Sequence, residues 1–186
     1  MKLNYCERIC QRKSDNSRLR KEGVIPSVIY SRGQNSSSIS VIESDYTALL
    51  RTVKPGHLST QVFELTDSAG VVRRAILKDI QYHPTNYQVI HLDFEELIKD
   101  HKVNVKVPIE WINVADCVGV KLGFVLRAVI RSIRVSCLPD DIPVAFLLDV
   151  KDLGPRDSRR LKDLDIPENV RPLSSLEEVA VVVAKR

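Results

Sequence analysis

Short apolar stretches rich in β-branched residues, partly alternating with polar ones, recur along this chain and stop at Gly, Pro, Asn or Asp. Thr60-Gln61-Val62-Phe63-Glu64-Leu65-Thr66, Ile76-Leu77-Lys78-Asp79-Ile80-Gln81 and Val103-Asn104-Val105-Lys106-Val107 have this form, which marks strands. Asp67-Ser68-Ala69-Gly70 predicts a hairpin turn between the first two, because glycine reaches the left-handed backbone that tight turns demand. Val24-Ile25-Pro26-Ser27-Val28-Ile29-Tyr30 reads as a further, largely buried strand. Helices are expected to be few and short. One runs from Ser44 as N-cap through Arg51 and stops before Pro55-Gly56; another covers Asn16 to Glu22, with Gly23 as its terminator. Asn35-Ser36-Ser37-Ser38 reads as a loop.

The strand pattern breaks at the charged run Glu95-Glu96-Leu97-Ile98-Lys99-Asp100-His101. It then resumes in Val- and Ile-rich segments punctuated by Pro108, Pro139, Pro143, Pro155, Pro167 and Pro172, a residue that prefers sheet edges and turns. A length of 186 residues suits one large domain or two small ones. The break favours two: the expected fold is mainly β with a few short helices, in β-rich domains at 1–97 and 98–186.

Composition narrows the function classes. With 44% hydrophobic and 28% charged residues the chain can bury a core, which excludes wholesale disorder and collagen-like architectures. No apolar stretch approaches the roughly 18 residues that cross a bilayer, and the opening residues lack the apolar region of a secretory signal. A cytoplasmic protein without a membrane partner is expected. The cysteines at 6, 10, 117 and 137 are too scattered for a disulfide framework and are expected to stay reduced. The net charge of +4 is modest, but residues 1–34 carry eight Lys and Arg against three acidic residues, while the remainder is close to neutral. Positive charge concentrated in one segment is the footprint of an anionic partner.

That segment includes Gln11-Arg12-Lys13-Ser14-Asp15-Asn16-Ser17-Arg18-Leu19-Arg20-Lys21, with five basic residues and one apolar one. Lys and Arg release condensed counterions when they meet phosphates, and Ser, Asn and Gln add positioning hydrogen bonds. A solvated loop leading into a helix has the same composition. Tyr30 ends its strand with a ring that can stack on a base or donate to a phosphate, or can simply lie half-buried. Around Val89-Ile90-His91-Leu92-Asp93-Phe94, a two-residue period puts Ile90, Leu92 and Phe94 on one side and Val89, His91, Asp93 and Glu95 on the other. On the polar side Gln81 and His91 can bond base edges or phosphates. Asp93, repelled by a polyanion, is useful only as an acceptor for an exocyclic amino group, which makes it a specificity element. An ordinary hydrated strand face would look the same. Arg127, Arg131 and Arg134, spaced through an apolar segment, read as basic strand edges that can touch RNA or protein, or as plain surface.

Catalysis finds less support. His83, His91, Asp79, Asp93 and Glu95 invite an acid–base or metal reading, yet no His-Glu-x-x-His, zinc-knuckle spacing, phosphate-binding glycine loop or Gly-x-Ser-x-Gly elbow occurs. The expectation is a protein that is not an enzyme and takes no cofactor, metal or small-molecule substrate.

The ordered strings Arg18-Leu19-Arg20-x-x-Gly23-x-Ile25-Pro26-x-Val28-Ile29-Tyr30, Lys78-Asp79-Ile80-Gln81-x-His83-Pro84 and His91-Leu92-Asp93-Phe94 closely resemble the bacterial large-subunit ribosomal protein L-twenty-five family. Gly119-Val120-Lys121-x-Gly123 and Cys137-Leu138-Pro139-Asp140-Asp141-Ile142-Pro143 resemble its longer two-domain form, often called Ctc or general stress protein. The resemblance implies an N-terminal β-barrel that binds 5S rRNA in the central protuberance of the ribosome, beside neighbouring large-subunit components. By motif position, it implies RNA contacts at Arg20, Tyr30, Gln81, His91 and Asp93, with Lys13 and Arg18 matched less tightly and Arg8 added from the opening strand. Where the family commonly has Gly-Lys-Gly, this chain reads Arg12-Lys13-Ser14, which stiffens that loop. Two rivals remain: an anticodon-type barrel that binds tRNA, and a metal-assisted hydrolase built on His83, His91 and Asp93.

Overall fold

A computed structural model describes residues 1–8, 13–31, 33 and 35–185, excluding the side chain of Lys13. Gln11, Arg12, Arg32 and Cys10 therefore lie outside the described residues. The chain forms two compact units, Met1–His101 and Lys102–Arg186.

In the first unit, strands β1 (Lys2–Glu7), β2 (Val24–Tyr30), β3 (Ser37–Ile42), β4 (Val62–Thr66), β5 (Val72–Tyr82) and β6 (Val89–Glu96) close into a barrel in the order β1-β3-β2-β6-β5-β4. The seams β1–β4 and β2–β6 are parallel; the other pairs are antiparallel. Closure leaves no free sheet edge, and alternate side chains fill the interior. Leu3, Tyr5, Ile25, Ile29, Ile39, Val41, Phe63, Leu65, Ala75, Leu77, Leu92 and Phe94 form that core. Phe63 and Phe94 meet edge to face at 5.7 Å, the arrangement aromatic quadrupoles favour.

The expected turn is present: Gly70, at φ 81°, donates its N–H to the Asp67 carbonyl, and Asp67 donates to Val71. Other expectations shift. Ser37 and Ser38 belong to β3 rather than a loop, because they pair with Ile29 and Val28. Helix α1 begins earlier, at Lys13, and runs to Lys21. Gly23, at φ 75°, ends it by donating to the Arg20 carbonyl. Helix α2 spans Glu43–Thr52 with Ile42, not Ser44, at the N-cap; the Ser44 hydroxyl bonds Asp45 inside the first turn.

The second unit contains a four-stranded sheet, ordered β10-β7-β9-β12, and a three-stranded sheet, ordered β11-β13-β8. Their strands are β7 (Val103–Ile112), β8 (Val125–Ala128), β9 (Ser132–Cys137), β10 (Phe146–Asp149), β11 (Ser158–Arg160), β12 (Arg171–Pro172) and β13 (Val179–Ala184). A short helix, α3 (Val118–Lys121), precedes β8. Gly119 on it is packed so closely that a Cβ there would come within 2.6 Å of Val183 Cγ1. Cys6, Cys117 and Cys137 are free thiols, the last two buried.

Candidate nucleic-acid interface

The outward face of β2, β6 and β5 carries most of the polar residues singled out from the sequence. Strand register sets Val28 of β2 against Asp93, and Tyr30 against Glu95. Across the other seam, Asp79 stands opposite Asp93, and Gln81 opposite His91. Two irregularities create this arrangement. Lys78 has no partner position between the pairs Leu77–Phe94 and Asp79–Asp93, so β5 bulges there and the alternation resets. Leu77 and Ile80, three residues apart, consequently both turn toward the core. The second bulge is at Ile90, between the pairs Gln81–His91 and Tyr82–Val89. It corrects the simple period: Val89, not Ile90, packs against the core with Leu92 and Phe94.

The Ile90 bulge also attaches the basic helix. Its carbonyl accepts a 3.0 Å hydrogen bond from Arg20 Nε, so the exposed last turn of α1 is fastened to β6 one residue from His91. Arg8 works from the other side. It donates Nε to the Ile39 carbonyl at 2.7 Å and Nη1 to Asn16 Oδ1 at 2.5 Å, tying α1 to the barrel wall. Arg18 forms an exposed i,i+4 pair with Glu22 at 2.9 Å, a weak contact that a phosphate can displace. Lys13 opens α1, but its side chain lies outside the described residues.

Within the face, His91 Nδ1 and Asp93 Oδ1 are 2.6 Å apart, both side chains partly exposed. An ionised carboxylate only accepts, so Nδ1 carries the hydrogen of this bond. Tyr30 is half-buried, and its phenol pKa is raised, first by burial and then by the Glu95, Asp93 and Asp79 carboxylates. It therefore remains a hydroxyl donor through neutral pH. Lys78 Nζ reaches Glu95 Oε2 at 2.5 Å and offsets part of this negative charge. Gln81 is exposed. The structure thus joins Arg20, Tyr30, Gln81, His91 and Asp93 in one continuous surface, while Arg8 and Arg18 belong to the helix and its mounting.

The sequence weighs Asp79 only as a metal or acid–base group, places Glu95 on the polar side of its strand without an RNA contact, and gives Lys78 no role beyond its place in a family motif. The signal for Lys78 was available in the three-residue step from Leu77 to Ile80. His83, proposed in the hydrolase reading, instead shares its Nδ1 with the Thr85 hydroxyl at 3.0 Å. Among the described residues no three His, Cys, Asp or Glu side chains converge as a metal site.

A sealed barrel whose outer wall offers hydrogen-bonding groups beside a cationic helix is a binding protein in form. Comparison with known proteins assigns it. Residues 3–94 match the Ribosomal L25p family and residues 102–186 match the ribosomal protein TL5 C-terminal domain. Over 186 residues, covering all of both chains, it is 46% identical to large ribosomal subunit protein bL25 of Chlamydia abortus. The identity is 47% to the protein of the same name from Chlamydia trachomatis serovar L2 and 42% to that from Chlamydia pneumoniae, again over both full lengths. The chain belongs to the bL25 family of large-subunit ribosomal proteins, a structural family and not an enzymatic one.

Proposed function

We propose that this chain is a constituent of the large ribosomal subunit that binds 5S rRNA through its first unit, using the β2–β6–β5 face and helix α1. The observation that carries the reading is the Arg20–Ile90 hydrogen bond, which makes the cationic helix and the hydrogen-bonding face a single surface. Each half supplies what the other lacks. Lys13, Arg18 and Arg20 attract phosphates without regard to sequence, whereas Tyr30, Gln81, His91 and Asp93 offer directional groups that discriminate base edges. Three carboxylates at Asp79, Asp93 and Glu95 would repel a regular phosphate backbone, so this face suits exposed base edges with amino donors. A-form RNA hides those edges in its deep groove, and an irregular internal loop displays them.

The test is a salt-titrated binding assay of the full chain with purified 5S rRNA, with bulk tRNA as competitor. Preferential retention of 5S rRNA in excess tRNA supports the reading. Equal displacement by tRNA assigns the face to the tRNA-binding alternative.

A further inference from the structure

The hairpin that joins β5 to β6 carries an aromatic ring that its own unit leaves uncovered. His83-Pro84-Thr85-Asn86-Tyr87-Gln88 are all exposed. Tyr87 is the most exposed large hydrophobic side chain among the described residues, at 78%. Its backbone also lies in the left-handed region, at φ 57°. Glycine and asparagine enter that region readily, whereas a bulky side chain meets a steric penalty there.

Hydrogen bonds hold the turn in this shape. Tyr87 donates its N–H to the His83 carbonyl at 3.0 Å, and His83 donates to the Gln88 carbonyl at 2.8 Å. Asn86 Oδ1 accepts from the Gln88 N–H at 3.1 Å, and Asn86 Nδ2 donates to Gln88 Oε1 at 2.8 Å. The Thr85 N–H and hydroxyl both meet His83 Nδ1. A turn bonded in this way offers its ring at a fixed place, so a ligand spends little entropy in ordering it.

An exposed ring alone is ordinary surface. Its place and its surroundings give this one a ligand. The hairpin connects the two strands on which Gln81 and His91 stand opposite each other, and four residues of chain keep the Tyr87 Cα within about 14 Å of that of His91. Residues 82–88 contain no Lys, Arg, Asp or Glu. The tip therefore neither attracts nor repels phosphates. Rings and amides are what it offers, and these suit the flat face and the edges of a base.

We propose that Tyr87 is a stacking platform for an unpaired base of the RNA, on the reading that the β2–β6–β5 face binds 5S rRNA. An internal loop that displays base edges to Gln81, His91 and Asp93 has bases out of the regular stack, and the ring at the end of the face receives one. Covering it withdraws apolar surface from water, a gain the free chain forgoes. A ring accepts any base, so Tyr87 adds affinity and fixes which end of the loop lies at the hairpin.

The test compares Tyr87→Asn and Tyr87→Phe with wild type, as full chains, in binding to purified 5S rRNA across a salt titration. Asparagine accepts the left-handed backbone, so the melting temperature should equal or exceed that of wild type, while binding weakens about 5- to 150-fold, the worth of one stacked base. The slope of log affinity against log salt should not change, because stacking releases no phosphate counterion. Tyr87→Phe keeps the ring and should bind as wild type does. Unchanged affinity in Tyr87→Asn, with wild type still preferring 5S rRNA to tRNA, would overturn the stacking role and leave the reading of the face intact; a ring that meets protein instead of RNA gives the same result. A loss in Tyr87→Phe equal to that in Tyr87→Asn assigns the contact to the hydroxyl and overturns it as well. A wild type without preference for 5S rRNA removes both.

Discussion

Asp93 and Tyr46 show how differently two polar side chains serve the same barrel. Asp93 is partly exposed and spends one carboxylate oxygen on His91 Nδ1. Replacing it with Ala removes an acceptor and releases the ring, and 5S rRNA affinity should fall by about 1 to 3 kcal/mol, the usual worth of a lost specific contact. Filter binding with the wild type alongside checks this; unchanged affinity would remove Asp93 from the recognition set. Tyr46, at 1% exposure, holds a hydroxyl with no partner among the described residues. Burial raises its pKa far above the ordinary tyrosine value. The sign follows from linkage. The unfolded tyrosine ionises near its ordinary pKa of about 10 while the folded one stays protonated, so its stabilising contribution is complete below that pH and falls as pH rises beyond it. Tyr46→Phe should be at least as stable as wild type at neutral pH and lose less stability above pH ~10, as read by chemical denaturation at both pH values. Sequence alone marked Asp93 for the site through its place beside His91. It said nothing of Tyr46, because only the packing of α2 on the barrel reveals that its hydroxyl has no partner.

Among the elements, β6 couples core to site. Phe94 is fully buried against Phe63, while Asp93 and Glu95 on either side face outward. Phe94→Ala should cost about 3 to 5 kcal/mol of stability, the range for losing a buried aromatic ring, and thermal unfolding measures it. Gly23 tests helix termination in isolation. A Cβ there meets nothing within 4 Å, so Gly23→Ala should cost about 1 to 2 kcal/mol from its positive φ alone. The hairpin at Asp67–Gly70 was legible because glycine in a tight turn has a local cause. The N-terminus of α2 was misread because Ser44 is a good cap by type, yet the chain leaves β3 and enters the helix two residues sooner, with Ile42 at the N-cap. The bulge at Ile90 escaped the two-residue period because the partner strand imposes it.

Across the whole molecule, charge and hydrogen-bonding groups are divided between a helix and a sheet face that lie far apart in sequence. Removing two helix cations, Arg18→Ala with Arg20→Ala, should lower the salt slope of 5S rRNA binding by about 1.4 to 1.8 while preserving preference over tRNA. A loss of that preference would show that α1 reads sequence rather than phosphates. Alternation, turn residues and the charged break near His101 are local properties, and they alone determined a mainly β chain in two parts with its positive charge gathered near the start. Barrel closure, the two bulges and the attachment of Arg20 to Ile90 were decided only by tertiary structure. Each depends on which strand lies beside which, and pairing between residues up to 70 positions apart leaves no periodic trace in the sequence.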